Sequence, residues 1–119
     1  MKAIKVGIMP ADKFQQRIID IAAGRYKPST NEPKIWFNSL KSLAEVLNEN
    51  NTRLLNIIEK MNPLSVKELS ELSDRKASNL SRTLKTLERY GIVELKRENK
   101  TVRPIVKANS FHIEYNCAW

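Results

Sequence analysis

The sequence predicts an α+β fold on three observations. A short segment near the start alternates in polarity, about fifty residues in the middle repeat with helical period, and alternation returns after Gly91. At 119 residues the chain can bury a modest core without disulfides or metal, and it is too short for a large two-domain enzyme. Its apolar stretches are only a few residues long, and the opening MKAIKVGIMP lacks the apolar run of a signal peptide, so a cytoplasmic protein without membrane contact is expected. Cys117 is the single cysteine, which leaves neither a disulfide framework nor a cysteine zinc site.

In chain order, Ile4, Val6 and Ile8 alternate with Lys5, Gly7 and Met9, which reads as a strand stopped by Pro10. Phe14, Ile18, Ile21 and Ala22 form the apolar stripe of a helix over Ala11 to Ala23, with Gly24 placed to end it. Tyr26 to Lys34 holds two prolines and reads as a loop or hinge. Ile35-Trp36-Phe37 suits either a strand or the lip of the next helix. Behind the cap candidates Asn38 and Ser39, Leu40, Leu43, Ala44 and Leu47 form a helical stripe that the run Asn48 to Asn51 breaks. Leu54, Leu55, Ile57, Ile58 and Met61 form another helix, ended ahead of Pro63.

Ser65-Val66-Lys67-Glu68 spells a capping box before a short helix with Val66, Leu69 and Leu72 on its inner face. A polar turn over Ser73 to Lys76 leads to a longer helix striped by Ala77, Leu80, Leu84 and Leu87 and closed at Tyr90-Gly91. Ile92 to Lys107 then reads as a β-hairpin, with a polar tip at Glu98 to Thr101 and Pro104 confined to an edge position. Phe111, Ile113 and Tyr115 suggest one more strand. Two helices joined by a short turn and followed by a hairpin describe a winged helix-turn-helix, here with an N-terminal strand-helix extension. The expected segments are 1–37 for dimerisation or partner binding, 38–107 for the winged helix-turn-helix, and 108–119 for a final strand and tail.

Charge singles out one segment. The net charge is +8, and residues 75–107 hold ten of the 21 basic side chains but only three of the 13 acidic ones. With Leu80 at 0° on a helical projection, Leu84 falls near about 40° and Leu87 near about −20°. The opposite side then carries Ser78, Arg82, Lys85 and Arg89, flanked by Asn79 and Thr86 and preceded by Lys76. Asparagine and arginine suit adenine and guanine edges in a major groove, so Asn79 and Arg82 are the candidate base readers, with Lys85 and Arg89 on phosphate. Lys96, Arg97, Lys100 and Arg103 on the hairpin are candidates for flanking phosphate or a narrow minor groove. Solvated polar helix faces are common and edge lysines also discourage aggregation; here the basic row coincides with the second helix of the motif.

The stretch Ser65 to Lys107 resembles the MarR and ArsR groups of transcriptional regulators, through Val66 to Leu72 for the positioning helix and Asn79 to Val93 for the recognition helix and first wing strand. The paired cysteines of ArsR-type metal sensors are missing, and no metal or other cofactor is expected. The remaining pattern, with Ile35-Trp36-Phe37 before Leu40 to Ala44 and Arg103 to Val106 on the second wing strand, looks like a poorly characterised family of small predicted transcriptional regulators. Members are often paired with small toxins, so this resemblance implies an antitoxin that represses its own operon; the ending Asn116 to Trp119 departs from the pattern.

The expected function is therefore that of a sequence-specific, homodimeric repressor binding double-stranded DNA. The alternatives are a protein-interaction module that neutralises a toxin and an RNA-binding winged helix. No phosphate-loop, dinucleotide, zinc-protease or nucleophile-elbow motif occurs, and the lone His112 and Cys117 read as incidental, so no enzyme is expected. Trp119 is expected to be poorly ordered.

Overall fold

The computed structural model describes residues 3–117; Trp119 lies outside the described residues. The fold is mixed α and β, with five helices and two small sheets among the described residues. The strands are β1 (Ala3–Ile8), β2 (Ile35–Phe37), β3 (Val93–Glu98), β4 (Thr101–Val106) and β5 (Ser110–Tyr115). The helices are α1 (Ala11–Ala22), α2 (Leu40–Val46), α3 (Glu49–Met61), α4 (Val66–Ser73) and α5 (Ala77–Arg89). Among the described residues no helix is long and apolar enough to cross a membrane.

Two compact units divide the chain, Val46–Ser110 and Ala3–Glu45 together with the chain from Phe111. These units cut the sequence differently from the expected segments 1–37, 38–107 and 108–119: most of α2 goes with the N-terminal elements, and so does nearly all of β5. The reason lies in the sheet, whose order is β2-β1-β5. β1 is its central strand, pairing in parallel with β2 in the register Val6 to Ile35 and Ile8 to Phe37. Strand pairing thus gathers two distant pieces of sequence into one unit.

β1 has both edges paired, and Val6, Gly7, Ile8 and Met9 are all buried, so the alternation read from Ile4, Val6 and Ile8 does not separate an inner from an outer face. The segment Tyr26 to Lys34 is the crossover between α1 and β2 and does not join the two units. It is tied down by Lys34 N–H donating to the Lys5 carbonyl (3.0 Å), by the Lys5 ammonium donating to the Asn31 carbonyl (2.7 Å) and by buried Pro33. Of the two readings, loop or hinge, the segment is thus a loop within one unit.

α1 forms where its period predicts, yet it buries none of its residues: Ile18, Ile19 and Ile21 are 51%, 46% and 37% exposed. The edge turned inward is that of Phe14 and Arg17, both half-buried. Beside it the Trp36 ring packs on Gly7 so closely that a β-carbon there would stand 2.4 Å from the indole and 2.9 Å from Pro33. Gly7 is therefore a packing requirement, not a conformational one.

In the other unit, three helices pack around Leu54, Leu55, Ile58, Leu69, Leu80, Leu84, Leu87, Ile92 and Val93, all 3% exposed or less. The run Asn48 to Asn51 breaks the chain only at Asn48, whose side chain accepts from the Asn51 N–H at 2.8 Å and caps α3. Ser65 caps α4 by accepting from the Glu68 N–H at 3.1 Å, but the Glu68 carboxylate reaches the Leu64 N–H (3.5 Å) and not that of Ser65. Gly91 takes φ 77 at the end of α5, where its N–H and that of Ile92 close on the Glu88 and Leu87 carbonyls. Leu72 and Ala77, counted in the buried stripes, are exposed at the two ends of the turn.

Because the indole occupies the space of a Gly7 side chain, Gly7→Ala is expected to destabilise the fold by roughly 1–3 kcal/mol through overpacking. Thermal unfolding followed by circular dichroism measures it, with wild-type stability as the contrary outcome.

Candidate nucleic-acid interface

The site is built on α4, α5 and the β3–β4 hairpin, all within one unit. α4 ends where Asp74 adopts a left-handed conformation (φ 58, ψ 32), which turns the chain sharply before α5 begins at Ala77. Burial of Leu80, Leu84 and Leu87 on one side of α5, at 0%, 1% and 0% exposure, turns Ser78, Asn79, Arg82, Lys85 and Arg89 to the solvent. None of these five side chains has a hydrogen bond or ion pair among the described residues, and neither has Lys76. Thr86 is half-buried and donates to the Arg82 carbonyl at 3.1 Å, so its hydroxyl is engaged within the helix. Lys76 supplies no side-chain cap and the first turn of α5 holds no acidic residue, so that turn offers no anion to its own N-terminal amides and helix dipole.

The hairpin divides its basic residues between two faces. Directly opposed residues share a face, and the register pairs Lys96 with Arg103, Arg97 with Val102 and Glu98 with Thr101. Lys96 and Arg103 therefore lie on one face, Arg97 on the other, and Lys100 at the tip beside Asn99, which takes φ 53. Arg103 is half-buried and its guanidinium lies 3.4 Å from the Glu98 carboxylate, while Lys107 pairs with Glu94 at 3.1 Å. Lys96, Arg97 and Lys100 are exposed and without partners among the described residues. Exposed pairs of this kind stabilise by at most about 1 kcal/mol, so their main effect is to lower the positive potential along the face shared by Glu94 and Glu98.

Arg75 is the residue that the sequence does not single out. It is half-buried, its carbonyl accepts from the Ser70 hydroxyl (2.5 Å), and its guanidinium donates to Thr83 of α5 (3.1 Å) and to the Asn51 side chain of α3 (3.5 Å). Asn51 in turn donates to the Val46 carbonyl at 2.9 Å. The Arg75 side chain thus fastens the turn to α5 and α3, while its backbone carbonyl ties the turn back to α4. The only sequence trace was a basic residue in a basic stretch, which does not distinguish an inward guanidinium from an outward one. His112 and Cys117 are both exposed, and no group of three His, Cys, Asp or Glu side chains able to hold a metal occurs among the described residues.

Residues 46–113, more than half of the sequence, match the family model HVO_A0114, and the chain belongs to the HVO_A0114 family. The match takes in all of the helix-and-hairpin unit and the first residues of β5. Neither the curated proteins nor the solved structures provide a match.

Arg75→Ala removes one hydrogen bond to α5 and one to α3 and is expected to cost roughly 1–2 kcal/mol. Arg97→Ala, at an exposed and unpartnered position, should stay within about 0.5 kcal/mol of wild type. Urea unfolding of the two variants tests the contrast, and equal stabilities would remove Arg75 from this positioning role.

Proposed function

We propose that the chain is a winged helix-turn-helix protein that binds double-stranded DNA and acts as a homodimeric transcriptional repressor in the cytoplasm. The observation that carries the reading is α5: a leucine-anchored helix whose outer side offers Ser78, Asn79, Arg82, Lys85 and Arg89, exposed and unpartnered. Thirteen residues make a rod of about 20 Å, which enters a major groove about 12 Å wide. Asn79 and Arg82 are then the base readers, Lys85 and Arg89 meet phosphate, and the uncapped start of α5 suits a phosphate oxygen. Lys96, Arg97 and Lys100 on the hairpin extend the contact along the backbone, with Arg103 a weaker contributor because Glu98 holds it. Duplex RNA fits less well, since its deep, narrow major groove does not admit a helix.

Operator binding by one such helix buries little surface, which favours a two-fold dimer. The isoleucine side of α1 is the surface we assign to it. β1 is excluded from strand addition because both of its edges are paired within the sheet. A small toxin is the second reading for the same uncovered isoleucines.

Fluorescence anisotropy on a selected duplex should give a log affinity that falls linearly with log salt, reflecting on the order of 4–8 phosphate contacts per dimer. Arg82→Ala should cost roughly 1–3 kcal/mol and relax base preference, whereas Lys100→Ala should weaken all sequences alike. Binding indifferent to salt, or an Arg82→Ala effect equal on selected and random duplexes, would remove the reading. Separately, sedimentation should find a dimer that Ile18→Glu converts to monomer. A wild-type monomer that instead co-purifies with the product of a neighbouring gene through the same isoleucines would establish the toxin reading.

A further inference from the structure

The unit built on β1, β2 and β5 contains a cavity of about 510 Å3, within the roughly 300–1,000 Å3 typical of small-molecule sites. One wall is fixed by an aromatic and ionic cluster. The Arg17 guanidinium carbon lies 5.2 Å from the Trp36 ring and 5.3 Å from the Tyr26 ring, and the guanidinium donates to Glu32 at 2.9 Å. The Tyr26 hydroxyl donates to the same carboxylate. Two rings, a guanidinium and a carboxylate thereby hold one another in place.

A second group of charges is likewise satisfied. Asp20 accepts from Gln16 at 3.0 Å and from Arg25 at 3.1 Å, and these donors hold its carboxyl below the ordinary carboxylate value. The cavity lining contains three basic and three acidic side chains, of which Arg17 with Glu32 and Arg25 with Asp20 are mutually neutralised. The two left are Lys13 from α1 and Glu114 from β5, both exposed and neither with a hydrogen bond or ion pair among the described residues. The same lining contains the apolar Met9, Pro33 and Trp36.

A simple anion entering this space would meet Glu114 as well as Lys13, and a simple cation the reverse. One ammonium and one carboxylate left open beside an aromatic wall complement a ligand that carries both charges and an apolar side chain. We propose that this cavity binds a free α-amino acid, its carboxylate on Lys13, its ammonium on Glu114 and its side chain against Trp36. The site is independent of any nucleic-acid binding, and its test uses no DNA.

Trp36 supplies the signal. In the full chain carrying Trp119→Phe, where Trp36 is the sole tryptophan, its fluorescence is titrated with L-phenylalanine, with phenethylamine, which lacks the carboxylate, and with 3-phenylpropionate, which lacks the ammonium. L-phenylalanine should give a saturable change, and each analogue should bind at least about 10-fold more weakly, the loss of one charge-assisted pair. Lys13→Met should remove the advantage of L-phenylalanine over phenethylamine, and Glu114→Gln its advantage over 3-phenylpropionate, as a coupling cycle requires. Both positions are exposed and unpartnered, so unchanged melting temperatures accompany these effects. Absence of a saturable change up to about 10 mM, analogues that bind as tightly as the amino acid, or indifference to both substitutions would overturn the assignment.

Discussion

Burial of one side of α5 decides what the rest of that unit can present. Leu80, Leu84 and Leu87 leave water almost completely, each contributing on the order of 1.5–3 kcal/mol. A rotation of the helix by even half a turn would place Arg82 and Lys85 in the core without partners, a cost that no surface contact offsets. The polar side therefore faces outward as a by-product of core packing. Ser65 and the left-handed Asp74 fix where α4 starts and stops, Gly91 fixes where α5 ends, and Arg75 spans the turn to fasten α5 against α3. Each of these local devices would matter little if the leucine stripe did not set the rotation.

α1 has the same kind of amphipathic period and the opposite outcome. Its inward edge holds Arg17, stacked on Trp36 and Tyr26 and paired with Glu32, while Ile18, Ile19 and Ile21 stay in water. Helical period says only that an apolar side exists; what covers it depends on the neighbouring elements. In α5 the coverage comes from α4 and the hairpin that adjoin it in sequence. At α1 the sheet beneath offers an indole whose electron-rich face suits a cation better than a branched alkyl group, and the isoleucines stay exposed. The stripe Phe14, Ile18, Ile21 was thus legible as a pattern, but its burial was not.

The same distinction sorts the rest of the fold. Features that rest on neighbours close in sequence could be read directly: the Ser65 cap, the helix stop before Pro63 and the left-handed Gly91 within four residues, and the hairpin over Ile92 to Lys107 across one short turn. Features that rest on distant pairing could not. Nothing local in Ala3–Ile8 reveals a strand flanked on both sides, and nothing in Tyr26 to Lys34 reveals that Lys5 and Arg17 hold it in place, so a crossover looked like a hinge. Gly7 belongs to this second class: its meaning is the indole lying on it, supplied by a residue 29 positions on.

Charge shows how much is lost when residues are counted without their geometry. Of the ten basic side chains in residues 75–107, Arg75 is bound inside the turn, and Arg103 and Lys107 are paired with Glu98 and Glu94. What remains open is Lys76, Arg82, Lys85 and Arg89 on or beside α5, with Lys96, Arg97 and Lys100 toward the end of the hairpin. The two acidic residues of the stretch other than Glu88 sit on β3, Glu94 toward the base of the hairpin and Glu98 beside its tip, where they pair with Lys107 and Arg103. The positive charge left open is therefore set by pairing geometry and not by the residue count, and it falls on two elements of one unit, α5 and the β3–β4 hairpin.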